Sequence, residues 1–223
     1  MNERPAKEIF RDPPRVETER LILRAMSVKD EADMYEYSSN PETVRYLLWN
    51  CHESPAYTRA YLSYVAGQYE AGKFFDWAVE EKESGKMIGT GGFTAIDDKN
   101  RAAQIGYVLN PAFWGRGYGT EIAKELLAFG FSYLGMHRIE ALYMPGNDRS
   151  TRVMEKCGMT FEGIARGAML VKGEFSDIGK YAILENEYFA SHDRKIYTFD
   201  RALRGFRLFG RSRQGGFGAA REK

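Results

Sequence analysis

An apolar run, Ile105-Gly-Tyr-Val-Leu109, passes through Asn110-Pro-Ala-Phe-Trp114 into Gly115-x-Gly117-x-Gly119, and this opens straight into the helical pattern Glu121-Ile-Ala-Lys-Glu-Leu-Leu-Ala-Phe129. A strand that feeds a helix through alternating glycines tightly constrains the fold around it. The glycines let the backbone turn sharply and bring several N–H groups close to a ligand. The helix N-terminus adds about half a positive charge. Such a junction suits a phosphate, and Arg116 places a guanidinium beside it, a natural partner for a pyrophosphate. The spacing differs from the dinucleotide fingerprint, and no Gly-Lys-Ser/Thr follows to make a Walker loop. A glycine-rich turn without a ligand is the alternative reading of the glycines alone.

Composition narrows the class. A chain of 223 residues is one large domain, or a domain with an appendage, and can bury a sizeable core. Hydrophobic content of 43% and charged content of 28% are ordinary for a globular protein. No apolar run reaches the roughly 18–20 residues that span a bilayer, and Met1-Asn-Glu-Arg-Pro-Ala-Lys-Glu8 lacks the apolar core of a secretory signal. Only Cys51 and Cys157 are present, which argues against a disulfide framework and for a reduced, cytoplasmic location. His52, His137 and His192 lack ligand spacing, so no metal is expected. Cys157, in an apolar stretch before Gly158, reads as a small buried hydrophobe rather than a nucleophile.

Along the chain, residues 1–17 are charged and proline-interrupted and read as an extended arm. Arg20-Leu-Ile-Leu-Arg24 reads as a strand, and Ser27 as the cap of a helix through Tyr37. Ser54-Pro55 starts a second helix carrying Tyr57, Tyr61, Tyr64, Val65 and Tyr69 at helical spacing. Strands follow over 74–80, 86–93 and 102–109, and the glycines at 89, 91 and 92 point to a bulge or a close backbone approach. The glycine loop opens the helix 119–133. Then come a strand Arg138–Tyr143, a short helix 147–156 closed by Gly158, and a hairpin of 159–169 with 175–184 across Lys172-Gly173. The expected division is an arm 1–17, a domain 18–187 and a basic, aromatic extension 188–223. That extension is net +6 against −5 for the rest. Phe199, Leu203, Phe206 and Phe209 with interleaved arginines suggest a short helix and a frayed end. It would pack on the domain or a partner subunit, or else touch RNA or a ribosomal surface.

These ordered motifs resemble the GCN5-related N-acetyltransferase (GNAT) family over about residues 18–187, closest to the RimJ/RimL-like subfamily that acetylates N-termini of ribosomal proteins. The resemblance rests on Arg20-Leu-Ile-Leu-Arg24, Ile105-Gly-Tyr-Val-Leu with Trp114-Gly-Arg-Gly-Tyr-Gly-Thr-Glu121, and Asn147-Asp-Arg-Ser150 with Val153-Met-Glu-Lys-Cys-Gly158. Phe161-Glu-Gly163, Arg166, Asp177 and Tyr181 fit as well. It implies an α/β (α+β) fold: a mixed, mostly antiparallel sheet of about seven strands, flanked by about four helices and splayed between strands four and five. In the count above those two strands are 102–109 and 138–143.

By the same resemblance, acetyl-CoA is the cosubstrate. Tyr107, Val108 and Leu109 would receive the pantetheine arm and the acetyl carbonyl. Trp114, Gly115, Arg116, Gly117, Tyr118, Gly119 and Thr120 would cradle the pyrophosphate, and Asn147 would touch the pantetheine. Trp114 stands where the broad family has Gln or Arg. Met154 stands where many members carry a proton-donating tyrosine, so Ser150 becomes the expected donor to the departing sulfur. A backbone N–H near Val108 would stabilise the oxyanion.

The base is less visible. Some relatives use a glutamate where this chain has Gln104. Asp76, Glu80, Glu140 and Tyr143 remain as acceptors, with Glu140 and Asp76 read first as strand-face ion pairs. Glu121 reads as a partner of the helix end. Asp177 and Tyr181 would line the acceptor cleft or tie the last hairpin. The implied acceptor is a primary amine, foremost a protein N-terminus. A small amine such as a polyamine or antibiotic is the second reading, and a non-catalytic acyl-CoA-binding domain the third. A monomer or a homodimer without membrane contact is expected.

Overall fold

Strand-rich hairpins wrap around one long apolar helix. The computed structural model of the chain describes residues 6–194, 196–200 and 205–209. Its strands are β1 (Arg15–Glu17), β2 (Leu21–Arg24), β3 (Asp76–Glu81), β4 (Met87–Asp97), β5 (Ala102–Leu109), β6 (Arg138–Tyr143), β7 (Thr160–Val171), β8 (Glu174–Leu184), β9 (Ile196–Asp200) and β10 (Gly205–Phe209). Its helices are α1 (Ala6–Ile9), α2 (Glu31–Ser38), α3 (Pro41–Val44), α4 (Pro55–Glu70), α5 (Tyr118–Ser132), α6 (Asp148–Lys156) and α7 (Glu185–Ser191). One sheet runs in the order β7-β8-β6-β5-β4-β3-β2-β1-β10-β9. Neighbours are antiparallel except for β5 with β6 and β1 with β10.

The parallel pair β5–β6 decides the function of the fold. Its register runs from Ala102↔Arg138 to Ile105↔Ala141 and stops there. Gly106–Leu109 stay paired to β4 on the other side, while β6 continues along β8. Beyond Ile105 the two strands part, and the sheet is splayed at the expected place.

Local chemistry accounts for the elements that flank this gap. Ser27 caps the turn Val28–Asp30 in a reciprocal capping box with Asp30, whose carboxylate also holds the Arg24 guanidinium at 2.7 Å. Ser54 Oγ accepts from the Tyr57 N–H at 3.2 Å, and Pro55 fills the first turn of α4. Helix α5 is apolar on most of its surface because it is surrounded. Ile122, Leu126, Phe129 and Phe131 are all buried on one side of the sheet. Each such side chain contributes about 1.5–3 kcal/mol. A smaller cluster of Met34, Tyr37, Leu62, Val65 and Ala78 seats α2 and α4 on the opposite face.

The expected mixed, splayed sheet with flanking helices is present; among the described residues β1 and the hairpin β9–β10 extend its edge to ten strands, with seven helices. Two expectations outside this core are corrected. The arm is not extended. It forms α1 and β1 and drives Phe10, fully buried, into an aromatic cluster with Phe75, Trp77, Phe93 and Phe129, while the Trp77 indole donates to Pro14 C=O at 2.8 Å. Charge and prolines hid the apolar pair Ile9-Phe10. The extension contributes strands, not a helix, over 196–200 and 205–209. Its β-branched and aromatic residues suit a sheet edge, and β1 offers an open one to β10. Tyr197 closes against α5 through Phe129 and donates to the buried Glu125 at 2.9 Å. Leu203, Arg201, Arg204, Arg211, Arg213 and Arg221 lie outside the described residues.

Candidate active site

The splay separates two cavities that meet at Tyr107, Val108, Asn147, Ser150 and Val153, which line both. The first is a groove of about 630 Å³ running over the N-terminus of α5. Gly115 and Gly117 adopt left-handed backbone angles, φ 76° and 83°, which a side chain would strain. Gly119 instead permits a close approach, since a Cβ there would stand 3.1 Å from the Tyr107 ring. The loop is braced from behind by Arg20. Its guanidinium donates to Arg116 C=O at 2.9 Å, lies over the Tyr118 ring and pairs with Glu121 at 2.7 Å. Glu121 also accepts from the Thr18 hydroxyl at 2.5 Å. It therefore ties α5 to the β1–β2 turn as well as meeting the helix end.

Trp114 takes a different part from the polar residue the family pattern expects. Its indole N–H donates to Leu109 C=O at 2.9 Å, and its ring carries the Arg149 guanidinium at 4.3 Å. Arg149, Arg45, Arg152 and Lys156 line the groove against the acids Glu42 and Asp148. The groove therefore combines open backbone donors, a helix N-terminus and a cationic wall, and these fit a phosphorylated ligand. Arg116 is turned away. Its guanidinium lies over the Phe113 ring at 5.2 Å, and it is not among the groove-lining residues.

The second cavity, about 610 Å³, lies beyond β5 and is walled by α2, α4 and the segment 46–53. Aromatic rings dominate it. Trp49, Tyr57 and Tyr61 pack around His52 with centroids 5.4, 4.9 and 5.6 Å away. The His52 Nδ1 lies 2.8 Å from the Thr58 hydroxyl, and burial lowers the His52 pKa.

Asp76 is the unusual residue of this chamber. Its Oδ1 is buried without a hydrogen-bond partner, as are the Tyr37 hydroxyl and the Ser38 Oγ, and all three residues line the chamber. Burial raises the Asp76 pKa to about 7. The position is imposed by the sheet. Asp76 faces Gly92 on β4, Gly92 faces Gly106 on β5, and a Cβ on Gly92 would lie 2.2 Å from Asp76 Oδ1. The carboxylate thus lies across the bare Gly92 toward the splayed end of β5. Tyr69 fixes the backbone by donating to Asp76 C=O at 2.7 Å. A carboxyl that titrates near neutrality inside a cleft is suited to taking a proton.

The other acceptors considered from the sequence separate cleanly. Glu140, one of the candidate acceptors, pairs with Lys180 at 2.9 Å and Arg138 at 3.3 Å and lines neither cavity. Glu80 is held by Arg24 at 2.6 Å. Gln104 reaches the chamber but donates to the Thr94 hydroxyl at 2.5 Å. Tyr143 lines the chamber from β6, its ring 5.7 Å from Tyr181. Asp177 accepts from Gly167 N–H at 2.8 Å and Tyr181 donates to Glu155 at 3.1 Å, so both bind the hairpin and helix rather than the cleft. Asn147 caps α6 by accepting from Ser150 N–H, which leaves the Ser150 hydroxyl for Tyr107. Burial raises the Tyr107 pKa to about 12 against that hydrogen bond. Met154 and Cys157 are buried, and burial moves the Cys157 thiol to about 11. Among the described residues no group of three His, Cys, Asp or Glu could hold a metal, and no helix is long and apolar enough to cross a membrane.

A splayed sheet with a cationic, glycine-bounded groove on one side and an aromatic chamber with a buried carboxylate on the other defines a two-substrate acyltransferase fold. The chain matches the "Acetyltransferase (GNAT) domain" family over residues 20–160, and it belongs to that family of acetyltransferases. It is 33% identical over 172 residues to the "Uncharacterized N-acetyltransferase YoaA" of Bacillus subtilis (strain 168), covering 77% of this chain and 97% of the relative. Two solved structures share the fold. The ribosomal-protein-S5-alanine acetyltransferase of Vibrio fischeri has a TM-score of 0.64 at 21% identity, covering 78% of this chain and 98% of that one. The spermidine N-acetyltransferase of Vibrio cholerae, in complex with CoA and spermine, has a TM-score of 0.65 at 21% identity, covering 77% and 99%.

Proposed function

We propose that this acetyltransferase moves the acetyl group of acetyl-CoA to a primary amine by direct attack, with Asp76 as the general base. The observation that carries this is the buried, unpartnered Asp76 carboxylate with a pKa near 7, in the chamber that meets the groove at Tyr107, Val108 and Ser150. Acetyl-CoA supplies an activated thioester. The Gly115–Thr120 turn and the Arg149–Trp114 pair hold its phosphate end, and Asn147 and the free edge of β5 hold the arm.

The chain's own residues then manage two protons. Asp76 removes one from the amine nitrogen, because a protonated amine has no lone pair to attack with. As the C–N bond forms the nitrogen gives up its second proton, and as the C–S bond breaks Ser150, at the junction of the two cavities and hydrogen-bonded to Tyr107, passes a proton to the departing sulfur and takes one back from the nitrogen, so that it ends as it began. A β5 backbone N–H near Val108, beyond the last β6 pairing, stabilises the carbonyl oxygen as it becomes negative. Holding both reactants in place contributes several kcal/mol more.

A protein N-terminus and a small amine both satisfy this chemistry. The Vibrio fischeri structure is named for the first kind of acceptor and the Vibrio cholerae structure for the second. The RimJ/RimL-like resemblance supports the first. The enclosed polar atoms of the chamber support the second, which we favour. Release of CoA thiol, followed with acetyl-CoA and a panel of amines and N-terminal peptides, tests the reading. Tight CoA binding without turnover of any acceptor would instead support a non-catalytic acyl-CoA-binding domain.

A further inference from the structure

The acceptor chamber is more selective than the reaction requires. Its buried polar atoms without partners are the Asp76 Oδ1, the Tyr37 hydroxyl and the Ser38 Oγ. Three oxygens wait for donors, and a primary ammonium brings three N–H groups. Around them the wall is apolar and aromatic, from Met34 and Leu48 to Trp49, Tyr57 and Tyr61. Burial raises the Tyr37 and Tyr61 pKa values, so both phenols stay neutral.

The charge balance points the same way. Among the described residues that line the chamber, Asp76 and Glu53 are the acids, no Lys or Arg is present, and Glu53 is exposed. One buried carboxylate neutralises one ammonium. A polyamine would bring further ammonium groups, yet beyond Asp76 the lining holds one other acid, the exposed Glu53, and burying a charge without an opposite partner is costly.

Resting on the acetyltransferase reading above, we infer that the acceptor is a compact monoamine: a single primary amine carried on an apolar body of aromatic size. The amine docks on Asp76, Tyr37 and Ser38, and the body lies against the rings of Trp49, Tyr57 and Tyr61. A volume of about 610 Å³ matches a small-molecule site, even with part of the space given to the acetyl end of the cosubstrate.

Two measurements on the full chain test this. Steady-state thiol release compares phenethylamine and tryptamine with ethylamine, spermidine and an alanine-initiated hexapeptide. Calorimetry on the CoA-saturated protein measures binding of the same compounds without requiring chemistry. The aromatic monoamines are expected to exceed spermidine and the peptide in kcat/KM by about tenfold or more, and to bind correspondingly tighter. Trp49→Ala should raise KM for tryptamine by about tenfold while leaving ethylamine within about twofold, since only the larger body reaches the ring. Spermidine or the peptide binding as well as tryptamine would overturn the inference. Preferred binding of the monoamines with no turnover would keep the acceptor class and remove the catalytic reading instead.

Discussion

The carboxylate of Asp76 occupies the space that a side chain at Gly92 would fill, with Oδ1 2.2 Å from the position of that missing Cβ. The proposed base therefore depends on Gly92 of β4, the strand next to the one that borders the cosubstrate groove. Gly92→Ala would also press on Phe75 C=O at 2.3 Å, so it should destabilise the fold by about 1–3 kcal/mol and reduce turnover. Gly67→Ala, on α4 with nothing within 4 Å, should leave turnover unchanged and add about 0.5–1 kcal/mol. Urea unfolding with parallel rate measurements checks both, and equal behaviour of the two variants would contradict the relationship.

Asp76 couples activity to pH in one direction and stability in the other. Its folded pKa is raised from 3.8 to about 7, so the folded state holds a proton that the unfolded state has released. The contribution to stability is fully present below the unfolded value and is lost as pH rises through about 7. The active form is the one present above it. The kcat/KM profile should therefore climb with an apparent pKa near 7. Asp76→Asn should unfold at higher temperature than the wild type at pH 8 and show little difference at pH 5, while losing turnover at pH 8, where the wild type carries the active form. Calorimetric melting across pH decides the matter.

Arg149 stacked on Trp114 returns to the groove a side-chain charge that an indole alone cannot supply. Arg149→Ala should raise KM for acetyl-CoA by about three- to tenfold with kcat nearly unchanged, and added salt should narrow the difference. A fall in kcat at constant KM would place Arg149 in the chemistry instead.

Ser150 stands where both cavities meet. Ser150→Ala should lower kcat by about tenfold or more while acetyl-CoA affinity stays within about twofold. A solvent isotope effect that changes in the variant would mark it as a proton donor, and an unchanged rate would reduce it to a helix-cap residue.

The arm supports the site from the far side of the core. Phe10 is fully buried against Phe75, Trp77, Phe93 and Phe129, so Phe10→Ala should cost about 3–5 kcal/mol. Denaturant unfolding reads this directly.

What the sequence showed and what it hid follow from the range of the interactions. The 102–109 strand, the glycine turn, Asn147 and Ser150 were legible because their signals are local: a positive φ, a cap, a strand that meets a helix. Asp76 was named but not ranked, because its burial comes from Gly92 across one strand and from α2 and α4 behind it. The glycines of β4 suggested a close approach, and that was the available clue. The ion-pair reading of Glu140 was open from the sequence, but its partner Lys180 was not, because it comes from the neighbouring strand β8. Ile9-Phe10 and the β9–β10 hairpin were missed because charge and prolines outweighed a short apolar pair, and because a helical spacing of phenylalanines overlaps an alternating one.

The central claim is that Asp76 takes the proton of the attacking amine. Single-turnover acetyl transfer to phenethylamine at pH 8, with acetyl-CoA affinity measured alongside, tests it most directly. For Asp76→Asn the account predicts a rate reduced by about 100-fold or more with acetyl-CoA affinity within about twofold of the wild type. A transfer rate within about threefold of the wild type would contradict it.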